Sequence, residues 1–240
     1  MGRAYQNRKD SIAKTAQAKT KIYGKYGREI YVCAKNGSPD PSANAVLRAL
    51  IDRARRDQVP THVIDRAIER AEGGGGVDFA PARYEGYGPN GSMVIVECLT
   101  DNPTRTFNEV RTCFSKADSK LGNAGAVAHM FDHCAIFVFA GPDEDTVLEA
   151  LLSGDVDVMD VESADGKVTV FASNSEYGNA KKVLTEAFGE DLQFDVDEIQ
   201  FVAQNTSALS GADLESFEKL VELLEDLDDV QRVYHSVAPE

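Results

Sequence analysis

The chain has 240 residues, 42% of them hydrophobic, and 25 Lys+Arg against 40 Asp+Glu give a formal net charge of −15. An apolar share this close to the globular norm excludes global disorder, and the length allows one large domain or two to three small ones. The longest apolar run, Cys134 to Ala140, is far short of the ~18–20 residues of a spanning helix, and the start leads into no apolar signal segment, so the expectation is a cytoplasmic protein with no membrane partner.

Cys33, Cys98, Cys113 and Cys134 never form a C-x-x-C pair. Neither a disulfide framework nor a zinc ribbon is indicated, and reduced, mostly buried thiols are expected. Charge is divided unevenly along the chain: residues 1–75 carry 15 basic and 8 acidic side chains, net +7, and the other 165 carry 10 and 32, net −22. A basic segment in an acidic protein points to a polyanionic partner.

The first 72 residues read as helix. Ile22, Tyr26 and Ile30 recur every four positions until Asn36-Gly37-Ser38-Pro39 breaks the pattern. Residues 1–20, poor in large apolar side chains, read as a mobile basic arm. Asp40 is the expected cap of a second helix with Pro41 at its first position and Val46, Leu47, Leu50, Ile51 and Ala54 as its apolar stripe. Pro60 opens a third helix carrying Ile64, Ala67, Ile68 and Ala71, and Gly73 to Gly76 read as a flexible exit from a small bundle.

Beyond the glycines, strands alternate with helices. Ser92 to Leu99 is a strand, and Asp101-Asn102-Pro103 caps a helix with Phe107, Val110 and Phe114 facing the core. Residues 125–131 are expected to be extended. From Cys134 the order is strand (134–140), helix (143–152), strand (156–161), strand (167–172), helix (175–188) and strand (192–203), the β-α-β-β-α-β signature of a ferredoxin-like unit. A helix from Ser210 and a strand from Val230 to Val237 close the chain. These last two elements have no core of their own, whereas residues 84–131 supply an incomplete β-α-β. The predicted fold class is therefore α+β: a basic helical domain over 1–75, a split α/β domain over 77–131 plus 205–240, and a ferredoxin-like α/β domain over 132–204 inserted into it.

Gly86-Tyr87-Gly88-Pro89-Asn90-Gly91 fits G-x-G-x-x-G, but it precedes a strand rather than opening a helix, so it reads as a turn and not a dinucleotide loop. His129, Asp132, His133 and Cys134 crowd together, yet alternate side chains of a strand face opposite ways, and no metal site is assigned. No nucleophile–base set accompanies His62 or His235. Catalytic residues, metal and cofactors are accordingly expected to be none. The basic residues carry more information. Lys9, Lys14, Lys19, Lys21, Lys25 and Arg28, with Arg3 in the arm, are expected to touch phosphates. Arg48 and Arg55 share one helix face and Arg66 and Arg70 another, and the planar arginine fork suits phosphate. Tyr23, Tyr26 and Tyr31 are read as packing inside the bundle in preference to stacking on bases.

Several stretches resemble the YebC/PmpR family, in its YeeN-like branch: Lys21-Ile22-Tyr23-Gly24-Lys25-Tyr26-Gly27-Arg28-Glu29-Ile30-Tyr31, Val59-Pro60-Thr61-His62-Val63-Ile64-Asp65-Arg66-Ala67-Ile68, Tyr84 to Gly91, Asn102-Pro103-Thr104-Arg105-Thr106, Glu109-Val110-Arg111, and Asp229-Val230-Gln231-Arg232-Val233-Tyr234-His235. The likeness covers nearly the whole chain. It departs from the family in lacking the usual Ser-Lys-Trp near the N-terminus and the Gly-Gly around Asp118-Ser119. The resemblance implies three domains, the third inserted in the second, and no catalysis. It also implies either a DNA-binding transcriptional regulator or a translation factor working at the ribosome. The expectation is a non-enzymatic regulator of gene expression whose partner is nucleic acid, duplex DNA or ribosomal RNA, with the ribosome as a further partner. A small-molecule sensor is the alternative from another class.

Overall fold

A computed structural model describes residues 2–74 and 76–238, with side chains from residue 19 onward. The chain forms two compact units, the first comprising Met1–Ala124 with Leu209–Val233 and the second Gly125–Ala208 with Tyr234–Glu240. The fold is mixed helix and sheet, with helices first and two four-stranded sheets after them, as the element pattern predicts.

In the first unit, α1 (Gly2–Asn36), α2 (Ala45–Arg56) and α3 (Thr61–Glu72) form the bundle. Ile30, Tyr31 and Ala34 of α1 pack with Leu47, Ile51 and Ala54 of α2, Val59, and Ile64 and Ala67 of α3. Helix α1 continues through the residues read as an arm. Two members of the predicted stripes lie outside the core: Ile22 and Val46 are 42% and 70% exposed. The cap of α2 is Asn44, not Asp40. The Asn44 Oδ1 accepts from the Leu47 amide at 3.0 Å, while Asp40 takes the Ser42 amide at 2.8 Å and stabilises the turn before the helix.

The glycine run is less free than its composition implies. Gly76 lies so close to Tyr31 that a Cβ there would fall 2.3 Å from the phenol oxygen. The Tyr31 hydroxyl donates to the Val77 carbonyl at 3.0 Å, and Phe79 meets the Tyr31 ring edge-on at 6.0 Å.

The sheet of this unit has the order β3-β1-β2-β8, built from β1 (Ala80–Tyr87), β2 (Met93–Thr100), β3 (Lys120–Leu121) and β8 (Val230–His235). Helices α4 (Pro103–Lys116) and α7 (Gly211–Glu225) belong with it. The last strand thus lies beside β2, although about 130 residues separate them in sequence. Strand β1 is an addition to the expected elements, running antiparallel to β2 from Ala80↔Thr100 to Tyr87↔Met93. A left-handed turn joins the two, with Asn90 at φ 50 and Gly91 at φ 75. The G-x-G-x-x-G segment is therefore a hairpin turn. At Gly86 the strand passes so near α4 that a Cβ would meet the Phe114 ring at 2.4 Å and the Lys120 carbonyl at 2.8 Å. Phe107 turns outward, 42% exposed, and its ring lies 6.1 Å from that of Tyr84.

The second unit contains β4 (Phe131–Ala140), α5 (Glu144–Ser153), β5 (Val158–Ala164), β6 (Lys167–Ser173), α6 (Tyr177–Phe188) and β7 (Phe194–Ala203). Its sheet order, β5-β6-β4-β7 with every paired neighbour antiparallel, is that of the ferredoxin-like split β-α-β unit. Phe137, Phe139, Val168, Val170 and Phe194 pack under Val147, Leu151, Ala180 and Leu184 of the two helices. The segment expected to be extended before β4 contains a 3-10 turn, Ala128–Met130.

Candidate nucleic-acid interface

Apart from Lys19, which is exposed on α1, the basic residues singled out in the sequence fall into three groups. The side chains of Arg3, Lys9 and Lys14 lie outside the described residues.

Lys21, Lys25 and Arg28 line a groove together with Glu225 at the end of α7 and Leu227 and Asp228 in the turn that leads to β8. The Lys21 ammonium pairs with Asp226. Burial pushes the Lys25 ammonium below its ordinary value, with the Glu225 carboxylate opposing. The Arg28 side chain is only 19% exposed, and its Nη1 donates to Asp229 Oδ1 at 3.0 Å, to the Leu99 carbonyl at 3.1 Å and to the Asp228 carbonyl at 2.5 Å. Its guanidinium also lies 4.9 Å from the centre of the Phe79 ring. Arg28, expected to hold a phosphate, instead holds a carboxylate and two carbonyls of its own chain.

Arg48, Arg55, Arg66 and Arg70 are exposed on α2 and α3. Arg48 supports the preceding turn, donating to the carbonyls of Pro41 at 3.1 Å and Ser42 at 2.8 Å. Arg55 lies 3.5 Å from Asp52, an exposed contact worth little. Arg66 makes no ion pair among the described residues, and the Arg70 guanidinium sits 5.3 Å from the centre of the Tyr31 ring. Arg66 and Arg70, one helical turn apart, thus present exposed cations that form no ion pair with a carboxylate among the described residues. The tyrosines pack: Tyr31 is 2% exposed, Tyr23 lies against the bundle core, and Tyr26 donates to Asp57 while Arg53 approaches its ring.

No local pattern marks the polar cluster around Asp229, because its members are far apart along the chain. Asp229 is 4% exposed. Its Oδ2 receives Arg105 Nη2 at 2.7 Å and the hydroxyls of Thr106 and Thr100 at 2.6 and 3.0 Å. Burial pushes its carboxyl up, but the hydrogen bonds from Thr106, Arg105 and Thr100 and the Arg105 charge outweigh it and hold the group below its ordinary value.

Two members of the His129–Cys134 cluster, His133 and Asp132, have structural partners. His133 stacks on Phe201 at 4.2 Å and shares a 3.0 Å hydrogen bond with Asn174, and Asp132 accepts from Gln204 at 2.9 Å. Among the described residues no group of three or more His, Cys, Asp and Glu is placed to hold a metal. All four cysteines are free, and burial pushes the Cys98 thiol up to about 12. No helix among the described residues is long and apolar enough to cross a membrane.

Comparison with known proteins agrees with the resemblance read from the motifs. The model of the TACO1/YebC protein N-terminal domain matches residues 3–74, and that of the TACO1/YebC second and third domain matches residues 79–237. A protein of Marinomonas sp. (strain MWYL1), named a probable transcriptional regulatory protein, is 65% identical over 98% of this chain and 99% of its own. One of the same name from Marinobacter nauticus is 64% identical over 98% of each chain. The crystal structure of a conserved hypothetical protein from Aquifex aeolicus matches with a TM-score of 0.76 at 30% identity, covering 92% of this chain and 91% of that one. The chain belongs to the TACO1/YebC family.

Proposed function

We propose that this protein is a non-enzymatic, nucleic-acid-binding regulator of gene expression that works in the cytoplasm. Its basic helical domain, residues 1–75, grips phosphates through Arg48, Arg55, Arg66 and Arg70, while the split α/β domain (77–131 plus 205–240) and the inserted domain (132–204) position it. The observation that carries this reading is the unneutralised pair Arg66 and Arg70 on α3, within a segment of net +7 in a chain of net −15. Arginine forks in that setting suit phosphate oxygens, and the regulator names of the relatives at 65% and 64% identity agree.

The absence of catalysis is part of the proposal. Cys98, its thiol pushed up to about 12, is no nucleophile at neutral pH, and both carboxylate oxygens of Asp229 are occupied by protein donors.

Phosphate contacts carry no sequence information, so the same arginines serve ribosomal RNA equally, and a ribosome-associated translation factor is the second reading. Crosslinking in cells followed by sequencing of the bound nucleic acid separates the two. Promoter DNA supports the transcriptional reading, ribosomal RNA the translational one, and neither above background rejects both.

A further inference from the structure

Residues 77–240 contain ten Lys and Arg in a strongly acidic surround. Six of them pair with carboxylates: Arg83 with Glu97, Arg105 with Asp101 and Asp229, Lys167 with Asp195, Lys181 with Asp197, Lys182 with Glu186, and Arg232 with Glu29. Among the described residues, Arg111, Lys116, Lys120 and Lys219 make no ion pair. Two of these four, Arg111 and Lys116, share one shallow depression on the exposed side of α4, and no carboxylate lines it.

The rest of its lining is small and polar. Asn108 Nδ2 donates to the Thr104 carbonyl at 2.9 Å, the Thr112 hydroxyl to the Asn108 carbonyl at 2.7 Å, and the Ser115 hydroxyl to the Arg111 carbonyl at 3.0 Å. These bonds fold the short side chains down onto the helix. What remains is a low polar floor with a guanidinium and an ammonium beside it, carried by residues whose backbones are about 7.5 Å apart along the helix axis at 1.5 Å per residue.

We infer that this face of α4 is a second phosphate-binding site, which takes the backbone of the same nucleic acid that the α2–α3 arginines hold. The inference rests on the functional reading above and extends the contact surface into the α/β part of the chain. Arg and Lys beside Ser, Thr and Asn is the side-chain mixture that meets phosphate and sugar in nucleic-acid complexes. Leaving two neighbouring cations unpaired here, in a segment of net −22, keeps a positive site within a strongly acidic part of the chain.

The test compares the full-length protein with R111A/K116A and R66A/R70A by fluorescence anisotropy across a salt series, using a random-sequence DNA duplex, a ribosomal RNA hairpin and polyglutamate as probes. Both pairs are exposed, and matching circular-dichroism melts exclude misfolding. Two lost phosphate contacts reduce the magnitude of the log K against log salt slope by roughly 1.4–1.8, so R111A/K116A should show that change on at least one nucleic acid. If the parent binds, R66A/R70A flattens the slope and R111A/K116A does not, the α4 inference is overturned and the functional reading stands. Polyglutamate binding that depends on Arg111 and Lys116, with the nucleic-acid slope unchanged, would assign the face to acidic peptide and overturn the inference too. A parent that binds neither nucleic acid overturns both.

Discussion

Arg28, in the last third of α1, donates to Asp229, 201 positions later, across 3.0 Å in a place where their side chains are only 19% and 5% exposed. The pair ties the N-terminal helix to the start of the last strand. Asp229 is at the same time the acceptor of Arg105, Thr100 and Thr106, so one carboxylate joins α1, β2, α4 and β8. A charge this deeply placed is tolerable because each oxygen has donors.

Removing either end of the pair should have unequal effects. Asp229→Asn leaves two guanidinium groups facing a neutral amide and should cost about 3–5 kcal/mol, the range for a broken buried pair. Arg28→Ala should cost less, because Arg105 and two hydroxyls still hold Asp229. Chemical denaturation of the two variants checks this; equal effects would show that the carboxylate is not the hub.

The same carboxylate sets an acid limit. Its folded pKa lies below the ordinary 3.8, so its contribution is fully present above that value and is lost as pH falls through the folded one. The stability gap between parent and Asp229→Asn should therefore be constant from neutral pH down to about 5 and close below about 4. A gap that closes near neutrality would contradict the assignment.

Two glycines in the first unit should respond oppositely to alanine. At Gly86 the new methyl meets buried Phe114 and a backbone carbonyl, and overpacking of this kind costs typically about 1–3 kcal/mol. Gly24, mid-helix in α1, has nothing within 4 Å, and alanine there should stabilise by roughly 0.5–1 kcal/mol. Thermal melts of the two variants decide it.

Cap exchange tests the start of α2. Asn44→Ala removes the acceptor of the Leu47 amide and should cost about 1 kcal/mol, whereas Asp40→Ala, outside the helix, should cost a few tenths. The reverse order would restore Asp40 as the cap.

These cases also show what periodicity conveys. The ferredoxin-like unit was legible because its strands and helices alternate with clear apolar runs, such as Val168 and Val170 in β6. Strand β1 was not, because Arg83, Glu85 and Gly86 break any apolar alternation and pairing with β2 makes it a strand. Asp40 looked like a cap because Pro41 follows it, but the helix begins four residues later. For the interface, the sequence indicated which segment is basic but not which cations are already neutralised. The partners of Lys21 and Arg28 lie about 200 positions away, beyond any local pattern.

The salt dependence of nucleic-acid binding by the α3 arginines tests the central claim most directly. If Arg66 and Arg70 each neutralise a phosphate, R66A/R70A should flatten the log K against log salt slope by roughly 1.4–1.8, equally for any sequence presented, because such contacts hold the backbone without reading bases. R66A/R70A binding with the parent's affinity and slope would contradict the account and remove phosphate from the role assigned to α3.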